Sequence, residues 1–415
     1  MIPKARILEI ATQQELQATT VEKDYVLGWL LFSVAKHDHL GRWVFKGGTC
    51  LKKCYFETYR FSEDLDFTVP EAEPLDEDAI ASGLLEVTRW VEDTAGIRFP
   101  GDGMTVEEYQ NRRGRTAYQA RVTYVGPLTL PRRSLQRVKL DITLDELIAD
   151  ETDRRTVYHP YDDAPEAAPR ALTYSVNEIL AEKTRALYER SGRARDVYDL
   201  VHLSRNFRPE IDPDRAASVL REKFEFKELP EPTTDIIMAR VDFDTLSVNW
   251  EHQLRHQLPV LPDAKSFFDD LRMSIGWWLD KTEVTPRPQI SADPTERLLP
   301  RQHYPPRTAA SADRVGLGRR VSRIPTGAGY SLFALEKIRY AARNRLCAEV
   351  GYHGVRRLVE SYSLRLPKTG NTLLYVYERE RGMIASGSIK AFKVEEIESV
   401  SITDIPFAPR YHVEL

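Results

Sequence analysis

The sequence predicts an α+β fold in four stretches: a mixed core over residues 1–170, a helical second half over 171–283, a proline-rich linker over 284–312 and a small β-barrel over 313–415. Three observations carry that reading. Strand-like alternation and helical periodicity interleave through the first 170 residues, the pattern of a sheet with packed helices. From Ser175 to about Lys281 the periodicity is almost entirely helical. Six prolines then fall between Pro286 and Pro306, and beyond them short alternating segments follow one another to the C-terminus.

In chain order, Thr20 serves as the N-cap of a helix running to about Lys36, with Val21, Tyr25, Leu27, Leu30 and Leu31 at near-helical spacing. Arg42–Lys46 reads as a short strand entering Gly47-Gly48-Thr49, and a helix follows through about Tyr55. Asp64–Val69 alternates as a strand, and the acidic loop Pro70–Asp78 precedes a helix over about Ala79–Ala95. Ala117–Val125 and Val138–Thr143 alternate again. In the helical stretch, Gly192 terminates one helix before the next opens at Ala194, and Trp277-Trp278 read as core aromatics of a helix over Asp263–Leu279. After the linker a helix is expected over about Ser331–Arg345. Strands follow near Cys347–Tyr352, Arg356–Ser363, Thr372–Glu378, Ser388–Phe392 and Ile397–Ile402.

A composition of 42% hydrophobic and 29% charged residues over 415 positions is that of an ordinary globular chain. No apolar run approaches the ~18 residues that a bilayer span needs, so no membrane partner is expected. MIPKARILEI lacks the apolar core of a signal peptide, and a cytoplasmic protein is expected. Cys50, Cys54 and Cys347 lack zinc-ligand spacing and read as buried structural thiols. Residues 311–415 carry 17 Lys and Arg against 11 Asp and Glu, which leaves 42 against 52 in the first 310. That split suggests two modules with different partners, the basic one facing nucleic acid.

The chemistry gathers in the mixed core. In a strand Asp64 and Asp66 point one way while Leu65 and Phe67 point into the core. Two carboxylates about 7 Å apart on one face do not both stay ionised cheaply without a cation. A divalent metal, Mg²⁺ (or Mn²⁺), resolves that repulsion, bridges triphosphate oxygens and lowers the pKa of an attacking hydroxyl. Asp141 points away from the apolar face of Val138, Leu140 and Ile142, which adds a third carboxylate and completes a set for two-metal phosphoryl chemistry. Gly47 and Gly48, between a strand and a helix, bring backbone N–H groups where phosphates approach, and Thr49 adds a hydroxyl. Each piece alone has a bland alternative (a turn, a solvated strand residue), but in this order they form the set that nucleotidyl transfer from a nucleoside triphosphate needs.

Later residues fit the same centre. Lys183 sits on a helix whose Leu180 and Leu187 face inward, so it can neutralise triphosphate charge, and Asp196 on the next helix can position that lysine or the acceptor. An ordinary inter-helix salt-bridge network is the alternative. Between Tyr109 and Leu140 stand eight basic residues and no acidic one, with Tyr118 and Tyr124 interleaved. Of these, Arg112, Arg113, Arg115, Arg132 and Arg133 are candidate RNA contacts, against a solvated hairpin face.

Two stretches resemble known families. Val44-Phe-Lys-Gly-Gly-Thr49 with Arg60-Phe-Ser-Glu-Asp-Leu-Asp-Phe67 resembles the leading motif of the AbiEii/AbiGii nucleotidyltransferase toxins. Val21-Glu-Lys-Asp-Tyr25, Glu182-Lys183 and Arg195-Asp196-Val-Tyr-Asp199 resemble that family's flanking motifs, over roughly residues 1–280. The resemblance implies a DNA polymerase β-like transferase core with a helical half completing the active site. It implies a type IV toxin–antitoxin or phage-defence role beside an AbiEi-like antitoxin. It also implies transfer from NTP to an RNA acceptor, the tRNA 3′ end in some members. Carried over by residue, Gly48, Asp64, Asp66, Lys183 and Asp196 take functional motif positions, and Ser62 takes a phosphate-contacting one. With Gly47–Thr49, Lys52 would cradle the triphosphate. Separately, Ala342–Leu346, Glu360–Arg365, Leu374–Tyr377, Phe392–Ile397 and Ile402–Phe407 resemble a WYL domain, an Sm/SH3-like barrel that senses nucleic acid or nucleotides. Its ligand contacts would be Tyr362, Ser363, Arg365, Tyr375 and Lys393. Alternatives of other classes are an enzyme modifying a protein or small-molecule hydroxyl, and a nucleic-acid-sensing regulator with an inactive transferase half.

Overall fold

The computed structural model describes residues 1–56, 59–70, 75–111, 113–290, 296–298, 328–367 and 370–415. Two sheets and a helical array make up the described part. The first sheet has the strand order β3-β4-β5-β2-β1-β7-β6. These strands are β1 (Val44–Lys46), β2 (Asp64–Thr68), β3 (Met104–Gln110), β4 (Thr116–Thr123), β5 (Arg137–Thr143), β6 (Asp153–Thr156) and β7 (Arg170–Thr173). At its centre β2 runs parallel to β5 and antiparallel to β1. Leu65, Phe67, Leu140 and Ile142 are buried, while Asp64, Asp66, Lys139 and Asp141 between them are half-open.

Helices α1 (Lys4–Gln14), α2 (Ala18–Lys36) and α4 (Glu77–Ala95) pack around this sheet, with the short α3 (Gly47–Cys50) leading into a π-helical turn, Leu51–Tyr55. The long helix α2 begins at Ala18, two residues before the expected cap, and the Thr20 hydroxyl donates to the His256 carbonyl (3.3 Å). Between α5 (Val176–Glu189) and α6 (Ala194–Asn206), Gly192 adopts φ +82° and its amide closes on the Leu187 carbonyl at 3.2 Å. This is the terminator the sequence predicted, made possible by the missing Cβ. The array continues through α7 (Pro213–Phe226), α8 (Thr234–Met238), α9 (Phe243–Leu254) and α10 (Ala264–Leu279), where Trp278 is fully buried and Trp277 packs at the margin.

The second sheet is antiparallel, with the path β12-β11-β10-β9-β13 and the short β8 (Arg297–Leu298) paired to β10. Helix α11 (Ala328–Arg343) leads into β9 (Leu346–Tyr352), β10 (Val355–Leu366), β11 (Leu373–Arg381), β12 (Ile384–Lys393) and β13 (Ile397–Pro406). Among the described residues the end strands β12 and β13 do not pair with each other, so the small β domain is an open antiparallel path. Much of the proline-rich stretch lies outside the described residues; of the rest, Ile290 is buried and the Pro288 carbonyl accepts from the His412 amide at 2.8 Å. Cys50, Cys54 and Cys347 are free and buried. Among the described residues, no helix is long and apolar enough to cross a membrane.

Candidate active site

The register of β2 against β5 places Asp66 opposite Asp141 and Asp64 opposite Lys139. On the other side β1 sets Lys46 opposite Asp66. Three carboxylates and two lysines therefore meet on one face. Lys139 Nζ lies 2.7 Å from Asp141 Oδ2, and Gln119 Nε2 donates to Asp141 Oδ1 at 3.0 Å. Lys46 does not neutralise Asp66, because its ammonium is drawn to Glu182 Oε1 at 2.9 Å. Burial, reinforced by Asp141 and Asp64, pushes the Asp66 carboxyl up to about 6. Burial also raises Asp64, with Lys139 opposing and Asp141 adding to the rise. Lys139 pairs with Asp141, but among the described residues Asp64 and Asp66 have no ion pair, and their hard oxygens suit a divalent cation. Among the described residues no group of three His, Cys, Asp or Glu stands at ligand spacing, so the fit rests on donor chemistry and on the raised carboxyls.

The Gly47-Gly48 turn closes directly on this face. Gly47 holds φ +80°, and a Cβ there would collide with Asp66 Oδ2. A Cβ on Gly48 would stand 2.7 Å from Arg60 Nη2 and 3.3 Å from Ser62 Oγ. The left-handed φ at Gly47 calls for glycine, while a side chain at Gly48 would have to displace the Arg60 guanidinium. Ser62 lines the same cleft of about 300 Å³ as Gly47, Gly48, Asp64, Asp66 and Asp141. Thr49 and Lys52 do not. The Thr49 hydroxyl donates to the Asp64 carbonyl at 2.5 Å and so fixes β2, while the Lys52 ammonium is buried 3.9 Å from the Phe61 ring centre. The turn is anchored from below by the upstream motif: Lys53 Nζ meets Asp24 Oδ2 at 2.7 Å, and Tyr161 donates to the same oxygen at 2.9 Å.

Helices α5 and α6 form the facing wall. Lys183 Nζ lies 2.5 Å from Asp199 Oδ2 and 3.9 Å from Asp196 Oδ1. Asp199 is fully buried and also accepts from Arg60 Nε (2.7 Å), Arg60 Nη2 (2.6 Å) and the Tyr59 hydroxyl (2.9 Å). Burial works against its charge, but Arg60 and Lys183 hold it well below the carboxylate range. Asp199, not Asp196, thus orients Lys183. Asp196 lines the cleft, and its buried Oδ2 has no hydrogen-bond partner among the described residues. Asp199, Arg60, Lys46 and Glu182 stand within the quoted motifs, but the sequence reading gives them no role of their own. Asp199 was readable from its spacing, three residues beyond Asp196 and so on the same helical face.

The other predicted contacts lie elsewhere. Arg112 lies outside the described residues. Arg113 reaches Asp145 at 3.5 Å, Arg121 pairs with Glu107 at 2.8 Å, and Arg132 pairs with Asp102. The run without acids therefore meets acids from neighbouring segments, and Arg115 and Arg133 are exposed. In the second sheet, Tyr362 is buried and donates to Glu360 Oε2 at 2.6 Å. Ser363 donates to Glu414, and Arg365 grips the same carboxylate at 2.7 and 2.9 Å. Tyr375 donates to Glu296 at 2.8 Å, and Lys393 pairs with Glu396 at 2.8 Å. These five side chains are engaged within the protein.

The family model of the nucleotidyl transferase AbiEii toxin, type IV toxin–antitoxin system, matches residues 29–280. Among solved structures, MenT4, a nucleotidyltransferase toxin from Mycobacterium tuberculosis H37Rv, is 21% identical at a TM-score of 0.45, covering 68% of this chain and 91% of its own. No curated protein matches the chain.

Proposed function

The chain belongs to the family of AbiEii nucleotidyltransferase toxins of type IV toxin–antitoxin systems, and on that premise we propose that it transfers a nucleotide from NTP to the 3′ end of an RNA, with tRNA the foremost acceptor. The observation that carries the reading is the pairing of Asp66 with Asp141 across parallel strands, with Asp64 two residues back along β2, beside a glycine turn and a lysine held by Asp199. Asp64, Asp66 and Asp141 would hold Mg²⁺ (or Mn²⁺), which would supply positive charge against the phosphates and acidify the attacking hydroxyl. The amides of Gly47 and Gly48 and the Ser62 hydroxyl take the triphosphate oxygens. Lys183, fixed by Asp199, faces the charge that grows on the leaving phosphates. The acceptor hydroxyl oxygen bonds to the α-phosphorus, the α–β phosphoanhydride bond breaks, and pyrophosphate leaves. In this reading an AbiEi-like antitoxin is the partner, and the system serves phage defence in the cytoplasm.

Incubating the purified protein with Mg²⁺, labelled NTPs and total RNA tests it. Label is expected in the tRNA fraction, dependent on divalent metal and lost by at least about a hundredfold with Asp66→Ala. Label in protein or a small molecule, with none in RNA, would sink it.

A further inference from the structure

A second, wider cavity of about 630 Å³ lies beside the catalytic cleft, and the two share Arg193 and Arg195. It runs between the start of α2, the end of α9 and the segments that enter β2 and β5. Its charge is one-sided. Arg195 donates through Nε to the Gln253 carbonyl at 3.3 Å and makes no ion pair among the described residues. Burial and the nearby Arg60 and Arg193 disfavour its charge, while Glu63 and Asp64 favour it from beyond ion-pair distance. Glu63 is the one carboxylate among the described residues on the wall, and it is already held by His256 at 3.2 Å and Lys23 at 3.8 Å. Among the described residues the wall carries no Phe, Tyr or Trp, and its rings are the imidazoles of His252 and His256.

We propose that this groove carries the phosphodiester backbone of the acceptor RNA, the nucleotides just upstream of the reacting 3′ hydroxyl. The proposal rests on the reading that the acceptor is RNA. The cleft itself, with its glycine turn and Lys183, suits one triphosphate, whereas the groove has about twice that volume. A polymer whose end reaches Asp64 must leave along some wall, and the shared arginines lead into this one. Cations with neutral Gln17, Thr19 and Gln136 suit phosphate and ribose oxygens without reading base identity.

The test is the double variant Gln17→Glu, Thr19→Glu. Both positions lie at the N-terminal end of α2, where added negative charge favours the helix, so folding is preserved. A 12-nucleotide single-stranded RNA, fluorescein-labelled at its 5′ end, reports binding by anisotropy without metal or NTP. Its Kd is expected to rise about tenfold, with a shallower salt dependence, while KM for NTP stays within about twofold. Unchanged RNA affinity overturns the proposal, as does a raised KM for NTP with RNA binding intact. So does loss of binding with Arg133→Glu but not with the double variant, which would move the RNA to the β4–β5 hairpin. If the wild type labels no RNA, the acceptor reading fails, and the anisotropy still decides the groove separately.

Discussion

One helical turn on α6 separates two aspartates with opposite electrostatic positions. Asp199 is enclosed by Arg60, Lys183 and Tyr59, so its charge is fully matched. Asp196 stands at the cleft with one oxygen unpartnered among the described residues. Neutralising the first breaks a buried network and strands Arg60 and Lys183. Asp199→Asn is therefore expected to cost about 3–5 kcal/mol in urea denaturation. Asp196→Asn removes no ion pair closer than 3.9 Å and should leave stability within about 1 kcal/mol, while kcat falls at least about tenfold. A reversed ranking of the two variants in stability would show that the lysine is oriented by Asp196 after all. From sequence spacing Asp196 and Lys183 were legible as a pair. That Asp199 takes the shorter contact was not, since it depends on how α5 and α6 pack.

Between β1 and α3 the chain is shaped to press backbone against Asp66. Gly47→Ala adds a Cβ at φ +80° and into Asp66 Oδ2. The left-handed conformation alone costs about 1–2 kcal/mol. Transfer should drop by about a hundredfold or more through displaced Asp66, with the circular dichroism spectrum unchanged; near wild-type turnover would show that the turn can relax. The last residue of β1 sets a second test. Burial disfavours the Glu182 carboxylate, but Lys46, Lys223 and Arg185 outweigh it and hold it down to about 2, against an ordinary 4.5. A folded-state pKa below the unfolded one means that the unfolded chain takes the proton first. The stabilisation is thus complete above about 4.5 and fades as pH falls toward about 2. Urea midpoints at pH 5 and pH 3 should differ less in Glu182→Gln than in the wild type, and equal slopes would count against the pair. These central elements were legible because burial alternates along β5 and from Asp64 to Phe67 of β2. The edge strand β3 was not, because Glu107, Glu108 and Tyr109 are all exposed and leave no apolar alternation. Edge strand β6, Asp153–Thr156, lacks a buried face for the same reason.

Across the whole molecule the α6 wall of the candidate site is backed by the C-terminal part of the chain. Tyr198, between Asp196 and Asp199, stacks on Phe267 at 5.1 Å and donates its hydroxyl to Asn344 Oδ1 at 2.9 Å. Asn344 follows α11, at the entry to β9. Asn206 at the end of α6 donates to the Arg343 carbonyl at 3.2 Å, and the Tyr340 hydroxyl donates to the Val260 carbonyl at 2.5 Å. The helical array and the end of α11, which leads into the second sheet, therefore share a buried seam. Asn344→Ala would leave the fully buried Tyr198 hydroxyl unsatisfied, at a cost of about 1–3 kcal/mol. Tyr198→Phe removes the same bond without burying a lone polar group and should cost about 1 kcal/mol. Because the two changes delete one contact, the double variant should be about 1 kcal/mol less destabilised than their sum. Calorimetry of the full chain should show one main transition that all three variants shift together. Two separated transitions, with only the later one moved by Asn344→Ala, would mean that the second sheet unfolds independently of α6 and lends the α6 wall no support.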